Sequence, residues 1–170
     1  MTQRKVWISL VAVLLVGAGL AVTAARADDD RTSFIAILSG ANEAEPVDTK
    51  ARGVAFFQLS EDGTSLRFRL IVANIQDVMM AHIHLALPPA PAGGVVVWLY
   101  PAAPPPSLIA GRFQGVLADG VITTANLVGA LAGMTLADLV HHIELGHTYV
   151  NVHTSAHPGG EIRGTIVPAE

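Results

Sequence analysis

The sequence predicts an all-β domain, a sandwich or barrel of antiparallel strands, with one short amphipathic helix near residues 135–145. Three observations lead to this prediction. Short apolar or alternating segments recur along the chain, turns rich in glycine and proline separate them, and one late segment has the period of a helix. Strands of this length and spacing are typical of sandwiches and barrels.

The N-terminal segment has the pattern of a cleavable secretion signal. Arg4 and Lys5 precede an apolar run over residues 6–22, and an Ala-x-Ala sequence ending at Ala27 suits a signal peptidase. A permanent membrane anchor is the alternative, but the run is at the short end of the roughly 17–25 residues that a bilayer requires. We therefore expect cleavage before Asp28 and a periplasmic or secreted protein.

Removal of the signal peptide, residues 1–27, leaves residues 28–170 as one domain of ordinary size. The chain has no cysteine, so its core must be stable without disulfides. Seven basic against fourteen acidic residues give the mature chain a net charge of −7, which disfavours nucleic acid or an anionic membrane as partner. No second apolar stretch is long enough to span a bilayer. The expected partner is an extracytoplasmic protein or a metal ion.

Eight segments are predicted as strands because they are apolar throughout or alternate with a period of two. Ser39–Arg52 is predicted as a long loop, and Asp62-Gly63, Asp119-Gly120 and Pro158–Gly160 as turns. The eight strands are Ser33–Leu38, Gly53–Leu59, Leu66–Ala73, Val78–Leu87, Val95–Tyr100, Arg112–Leu117, Thr148–His153 and Glu161–Val167.

The predicted helix has recognisable ends. Apolar residues recur at i, i+3, i+4 and i+7 between Leu136 and Ile143, which is the stripe of an amphipathic helix. Thr135 is suited to cap its N-terminus, with Asp138 in the reciprocal position of a capping box. Gly146 is suited to the left-handed residue that follows a helix.

Two histidines two residues apart on one predicted strand begin the candidate site. His82 and His84 leave the face opposite Ile83, with Cα atoms about 6–7 Å apart. His153 has the matching phase on a later strand, so all three imidazoles leave one non-core surface if both strands share a sheet. Neighbouring strands are ~4.8 Å apart, which lets three nitrogens reach one copper or zinc ion. The alternative is that they are ordinary residues of a polar sheet face.

Four further residues are weighed beside these three. His157 is expected to supply a fourth ligand only if its turn folds back. Glu161 is expected either to orient a ligating imidazole or to form cross-strand or loop contacts. His141 and His142 lie near the helix C-terminus, where cations are favoured, and are interpreted as solvated helix residues. No hydrolase or nucleotide-binding motif is present, so no catalytic residue is predicted.

Four segments in a fixed order resemble the chordin-type (CHRD) domain family. They are SGANEAEP at 39–46, AHIH at 81–84, YVNVHT at 149–154 and PGGEIRG at 158–164. The resemblance runs from Ser33 to Val167. It implies an antiparallel β-sandwich of immunoglobulin-like or superoxide-dismutase-like form, found in bacterial secreted proteins and in animal chordin, which binds growth factors. The chain departs from the family at Leu85–Gly94, where prolines replace a short glycine-rich link.

Two functional interpretations follow from these residues and the resemblance. The first is an exported, non-enzymatic binding module that holds copper or zinc through His82, His84 and His153, or that has no cofactor. The second is a copper-dependent redox enzyme, because this histidine pattern is similar to the copper subsite of copper/zinc superoxide dismutase. The chain has no counterpart of that enzyme's zinc-site histidines or its disulfide, and a likeness of fold and ligands does not carry an activity.

Overall fold

The computed structural model describes residues 32–169. The predicted signal peptide and its cleavage site lie outside these residues. Within them, no helix has the length and apolar character needed to cross a bilayer. The elements are β1 (Ser33–Ser39), β2 (Arg52–Leu59), β3 (Leu66–Leu85), β4 (Gly94–Tyr100), β5 (Ile109–Ile122), α1 (Leu136–Glu144), β6 (Thr148–Thr154), β7 (Ile162–Thr165) and β8 (Val167–Pro168).

The strands pair antiparallel throughout, and β3 joins two groups of them. Its first half pairs with β2 and β5, and its second half pairs with β6 and β4. The two groups meet again where Ser39 of β1 lies opposite Arg163 of β7, so the sheet closes on itself like a barrel. This arrangement confirms the predicted all-β fold with one helix.

Strand β3 is one continuous strand, where the sequence predicted two. The ladder with β5 shifts register between Val72 and Ile75, and again between Gln76 and Val78. Asn74 and Asp77 have positive φ angles of 55° and 52° in this region. Irregularities of this kind bend a strand without ending it, and they let one strand serve two groups.

The turn predicted at Asp119-Gly120 is wrong, because both residues lie inside β5. Asp119 pairs with Arg69 in the ladder, and their side chains form an exposed ion pair at 3.7 Å. A Cβ at Gly120 would lie 3.1 Å from the ring of Phe68. The glycine therefore makes room for an aromatic ring across the ladder. The last predicted strand is also divided, into β7 and β8.

The helix has the ends that the sequence predicted. Thr135 Oγ1 accepts from the Asp138 backbone N–H, and Asp138 Oδ2 accepts from the Thr135 N–H at 2.8 Å. Leu139 and Ile143 are fully buried in the single hydrophobic core. Gly146 has a positive φ of 69° after the last turn. The helix, which lies between β5 and β6 in the sequence, therefore covers part of the core.

Candidate metal centre

The pairing of β3 with β6 brings three histidines together. Met80 lies opposite His153, and His82 lies opposite Asn151. Because Met80, His82 and His84 share one face of β3, His153 lies on that same face of the sheet. One nitrogen from each of His82, His84 and His153 lies within 4.8 Å of the other two. We call these three residues the histidine triad. The adjacency that the sequence left open is therefore present.

The triad is buried, although the sequence placed it on an outer sheet face. Relative exposure is 2% for His82, 9% for His84 and 6% for His153. Strand β6 is buried along its whole length, on the triad face as well as on the core face, so other parts of the chain cover this side of the sheet. An exposed polar face is therefore the wrong description of this side of the sheet.

Two backbone carbonyls orient two of the rings. His84 Nδ1 lies 3.0 Å from the Gly93 carbonyl oxygen, and His153 Nδ1 lies 3.0 Å from that of Pro158. A carbonyl only accepts, so each Nδ1 carries the hydrogen and donates it. Each Nε2 then keeps its lone pair. Ligating histidines are commonly oriented by such a hydrogen bond on the far nitrogen.

The third ring completes the donor set. His82 Nδ1 lies 3.2 Å from His153 Nε2, and within this part of the chain the Nε2 atoms of His82 and His84 are buried without a hydrogen-bond partner. Buried nitrogen atoms without partners are costly unless a ligand or water meets them. His82 can give one nitrogen to an ion, and with Nδ1 as that nitrogen its 3.2 Å spacing from His153 Nε2 is close to the ~3.3 Å that separates two nitrogens bound tetrahedrally at ~2.0–2.1 Å. The residues present therefore fit an imidazole-bound transition metal.

Burial keeps the triad uncharged. It lowers the pKa of His82 to about 3, with repulsion from His153 and His84 as the next causes. It also lowers the pKa of His153 to about 4, against the opposing hydrogen bond to Pro158. The pKa of His84 is lowered mainly by burial too. At neutral pH the three imidazoles are neutral, which is the form that binds metal.

Aromatic and cationic side chains form the walls of the site. The ring of His84 stacks on Tyr149 with centroids 4.9 Å apart and planes at 5°, and the Arg163 guanidinium carbon lies 4.2 Å from the centroid of the same Tyr149 ring. Trp98 meets His82 edge-on at 4.2 Å between centroids. The Gly93 N–H donates to the Tyr149 hydroxyl at 3.3 Å. The loop before β4 is thus attached both to the triad and to its wall.

The other sequence candidates lie elsewhere. The converging donor atoms in residues 32–169 come from the triad, without His157 or Glu161. The Glu161 carboxylate accepts from the hydroxyls of Thr49 and Thr154, both at 2.7 Å, so it holds the loop before β2 against the hairpin of β6 and β7. Backbone carbonyls, rather than Glu161, hold the far nitrogens of His84 and His153. His157 is half-buried in the turn after β6.

Sequence reasoning missed part of the site. Tyr149 and Asn151 share the phase of His153, so the period of β6 could have placed them on the triad face. Gly93 and Pro158 act through their carbonyls, and no side-chain pattern indicates such a contact. Trp98 comes beside His82 only through the pairing of β4 with β3.

Comparison with known families agrees with this fold. The family model of the CHRD domain matches residues 34–166. No curated protein and no solved structure matches the chain.

Proposed function

Because this chain belongs to the CHRD domain family, we propose that it works outside the cytoplasm as a non-enzymatic binding module whose histidine triad holds copper or zinc. The observation that supports a metal is the convergence of His82, His84 and His153, which are buried and neutral, with the Nε2 atoms of His82 and His84 unpartnered. Imidazole ligands favour copper and zinc over magnesium or calcium.

An extracytoplasmic location is supported by two independent features. CHRD domains are generally extracellular, and they generally act in interactions between proteins. Arg4 and Lys5 before the apolar run, and the Ala-x-Ala sequence ending at Ala27, have the form of a cleavable signal. Intact-mass measurement of the exported protein tests this part, and the expected mature N-terminus is Asp28. A mass that includes residues 1–27 would contradict it.

Three protein nitrogens leave a fourth position for water, which is the arrangement of an open site rather than a sealed structural one. Because burial lowers the pKa values of His82 and His153 to about 3 and 4, protons compete for these nitrogens only in that range. With the ordinary histidine pKa, affinity would instead fall through about pH 6.5. In the folded chain this fall moves to lower pH.

Calorimetric titration of zinc or copper into the triad variants tests the metal site. His82→Ala and His153→Ala should each remove the tight equivalent, because each deletes a converging nitrogen. His141→Ala is the control and should leave it intact, because His141 is exposed on α1. Denaturant melts of the same samples establish that the variants are folded. If wild type binds no tighter than folded His153→Ala, the metal proposal is wrong.

The redox-enzyme alternative has its own test. Copper-loaded protein is assayed for superoxide dismutation beside free copper at the same concentration. We expect equal rates, because no second group of three or more metal-ligating side chains lies beside the triad in the part of the chain that the structure describes. A rate well above that of free copper, lost in His153→Ala, would replace the binding module with the enzyme.

A further inference from the structure

A second pair of imidazoles lies outside the triad, at the C-terminal end of α1. The Nδ1 atoms of His142 and His147 are 3.5 Å apart, and the ring centroids are 5.7 Å apart. Both side chains are half-exposed. Neither belongs to the hydrophobic core, and the metal site proposed above uses neither.

The backbone at the end of the helix sets this pair side by side. Leu145 is the C-cap, the Gly146 N–H donates to the Ile143 carbonyl, and the His147 N–H donates to the His142 carbonyl, both at 2.9 Å. These two bonds and the left-handed Gly146 form a Schellman motif, in which the residues at the positions of His142 and His147 touch. An apolar pair usually occupies these positions. Here two imidazoles, a type of side chain that can bind a metal ion, occupy them.

The surroundings favour a cation at this point. The carbonyl end of a helix carries partial negative charge within its last turn. Asp138 lies one turn before His142 and acts on it with an attractive charge, although burial and the neighbouring His147 and His141 lower the pKa of His142 overall. The chain as a whole is acidic, with a formal net charge of −4. The 3.5 Å spacing lies near the ~3.3 Å between two nitrogens of one tetrahedral ion.

We propose that His142 and His147 form a second, solvent-accessible metal site that binds a divalent transition ion through two imidazoles and water. Copper(II) should bind more tightly than zinc(II), because affinities of nitrogen sites follow that order. Water completes the shell, since the pair is half-exposed and two ligands leave most positions open. The site is distinct from the triad and does not depend on it.

Titration of copper(II) into wild type and His147→Gln tests the second site. The variant should bind one equivalent fewer than wild type, while the control His141→Gln, on the same helix turn, should bind the wild-type number. His147 is half-exposed, so the substitution should not unfold the chain, and a melt without metal checks this. Ring-proton signals of His142 and His147 should also broaden in wild type as this equivalent of copper binds.

The stoichiometry separates this proposal from the triad. If the triad binds nothing, wild type should fall from one equivalent to none in His147→Gln. If both sites bind, it should fall from two to one. An unchanged stoichiometry in His147→Gln would overturn the proposal. The contact between His142 and His147 would then be only a hydrogen bond between two imidazoles.

Discussion

At the scale of single residues, Gly93 connects the loop before β4 to the metal centre through its backbone. Its carbonyl accepts from His84, and its N–H donates to Tyr149. A Cβ at this position would lie 1.6 Å from the Leu85 carbonyl oxygen, so no side chain fits. The absence of a side chain therefore permits the close approach that orients a ligand.

We expect Gly93→Ala to lower both stability and metal affinity. The clash should cost about 1–3 kcal/mol of unfolding free energy, and the shift that it forces on the carbonyl that orients His84 should weaken metal binding about 10- to 100-fold. Gly94→Ala is the matched control, because nothing lies within 4 Å of the added Cβ. Denaturant melts and zinc titrations measure the two effects. Equal affinities for the two variants would show that the carbonyl does not orient His84.

Glu43 is a second residue whose environment has a measurable consequence. Burial raises its pKa from 4.5 to about 7, although Arg163 and the hydrogen bond from Asn151 lower it. The folded chain therefore binds more protons than the unfolded chain between about pH 4.5 and 7. Stability from this group is complete below pH 4.5 and is lost as the pH rises through 7.

We therefore expect Glu43→Gln to be more stable than wild type at pH 8, by on the order of 1 kcal/mol after allowance for solvent screening of a half-buried group. The amide removes the charge and still accepts from Asn151. The advantage should disappear at pH 4.5, where wild type is protonated too. Denaturant melts at both pH values measure it, with the exposed Glu45→Gln as control. A gain that is the same at both pH values would contradict the assignment.

At the scale of elements, the two halves of strand β3 differ in burial. Its first half alternates buried and exposed residues, whereas its last five residues, from Ala81 to Leu85, are all buried. The bend at Asn74 and Asp77 separates the halves. The histidine-bearing half pairs with β4 on one side and with β6 on the other, and its last residues are buried on both faces of the sheet.

The helix contributes core packing, and its stability effect can be measured. Leu139 has no exposed surface, whereas Leu145 just after the helix is 52% exposed. Leu139→Ala should lower the unfolding free energy by about 2–5 kcal/mol, because it removes buried methyl groups and leaves a cavity. The same substitution at Leu145 should cost less than about 0.5 kcal/mol. A loss below about 0.5 kcal/mol for Leu139→Ala in denaturant melts would mean that α1 is peripheral.

At the scale of the whole molecule, we expect the fold to form without a metal ion. The hydrophobic core is one cluster that includes residues from β1 through α1 and β6, and the triad lies on the other face of its sheet. The chain should therefore fold with the metal removed. Free zinc at 100 times its dissociation constant should add about 2.7 kcal/mol.

Thermal melts with chelator and with zinc check this expectation. The chelated protein should melt cooperatively at a temperature about 5–11 °C lower than the zinc-loaded protein. His153→Ala is the control, and zinc should raise its melting temperature much less than that of wild type, because only the weaker pair of His142 and His147 remains. Unfolding at room temperature on addition of chelator would instead make the triad a structural site.

Much of the architecture was predictable because it is local. The alternation of His82 and His84 with Ile83 determined that the two imidazoles share a face, since side chains in a strand alternate. Capping at Thr135 and Asp138 depends on residues three apart and was confirmed in the structure. Asp-Gly failed as a turn signal at Asp119, because the ring of Phe68, about fifty residues away in the chain, occupies the space beside Gly120.

What the sequence by itself determined is the class of fold, the helix with its ends, and the shared phase of the three histidines. What only the tertiary structure decided is that β6 pairs with β3, that the triad is buried, and that Gly93 and Pro158 orient two of its rings. The physical reason is range. Period and capping act within a few residues, whereas strand adjacency and burial depend on contacts between residues distant in the chain. Every residue has a backbone carbonyl, so the sequence does not indicate which carbonyl will accept from a given side chain.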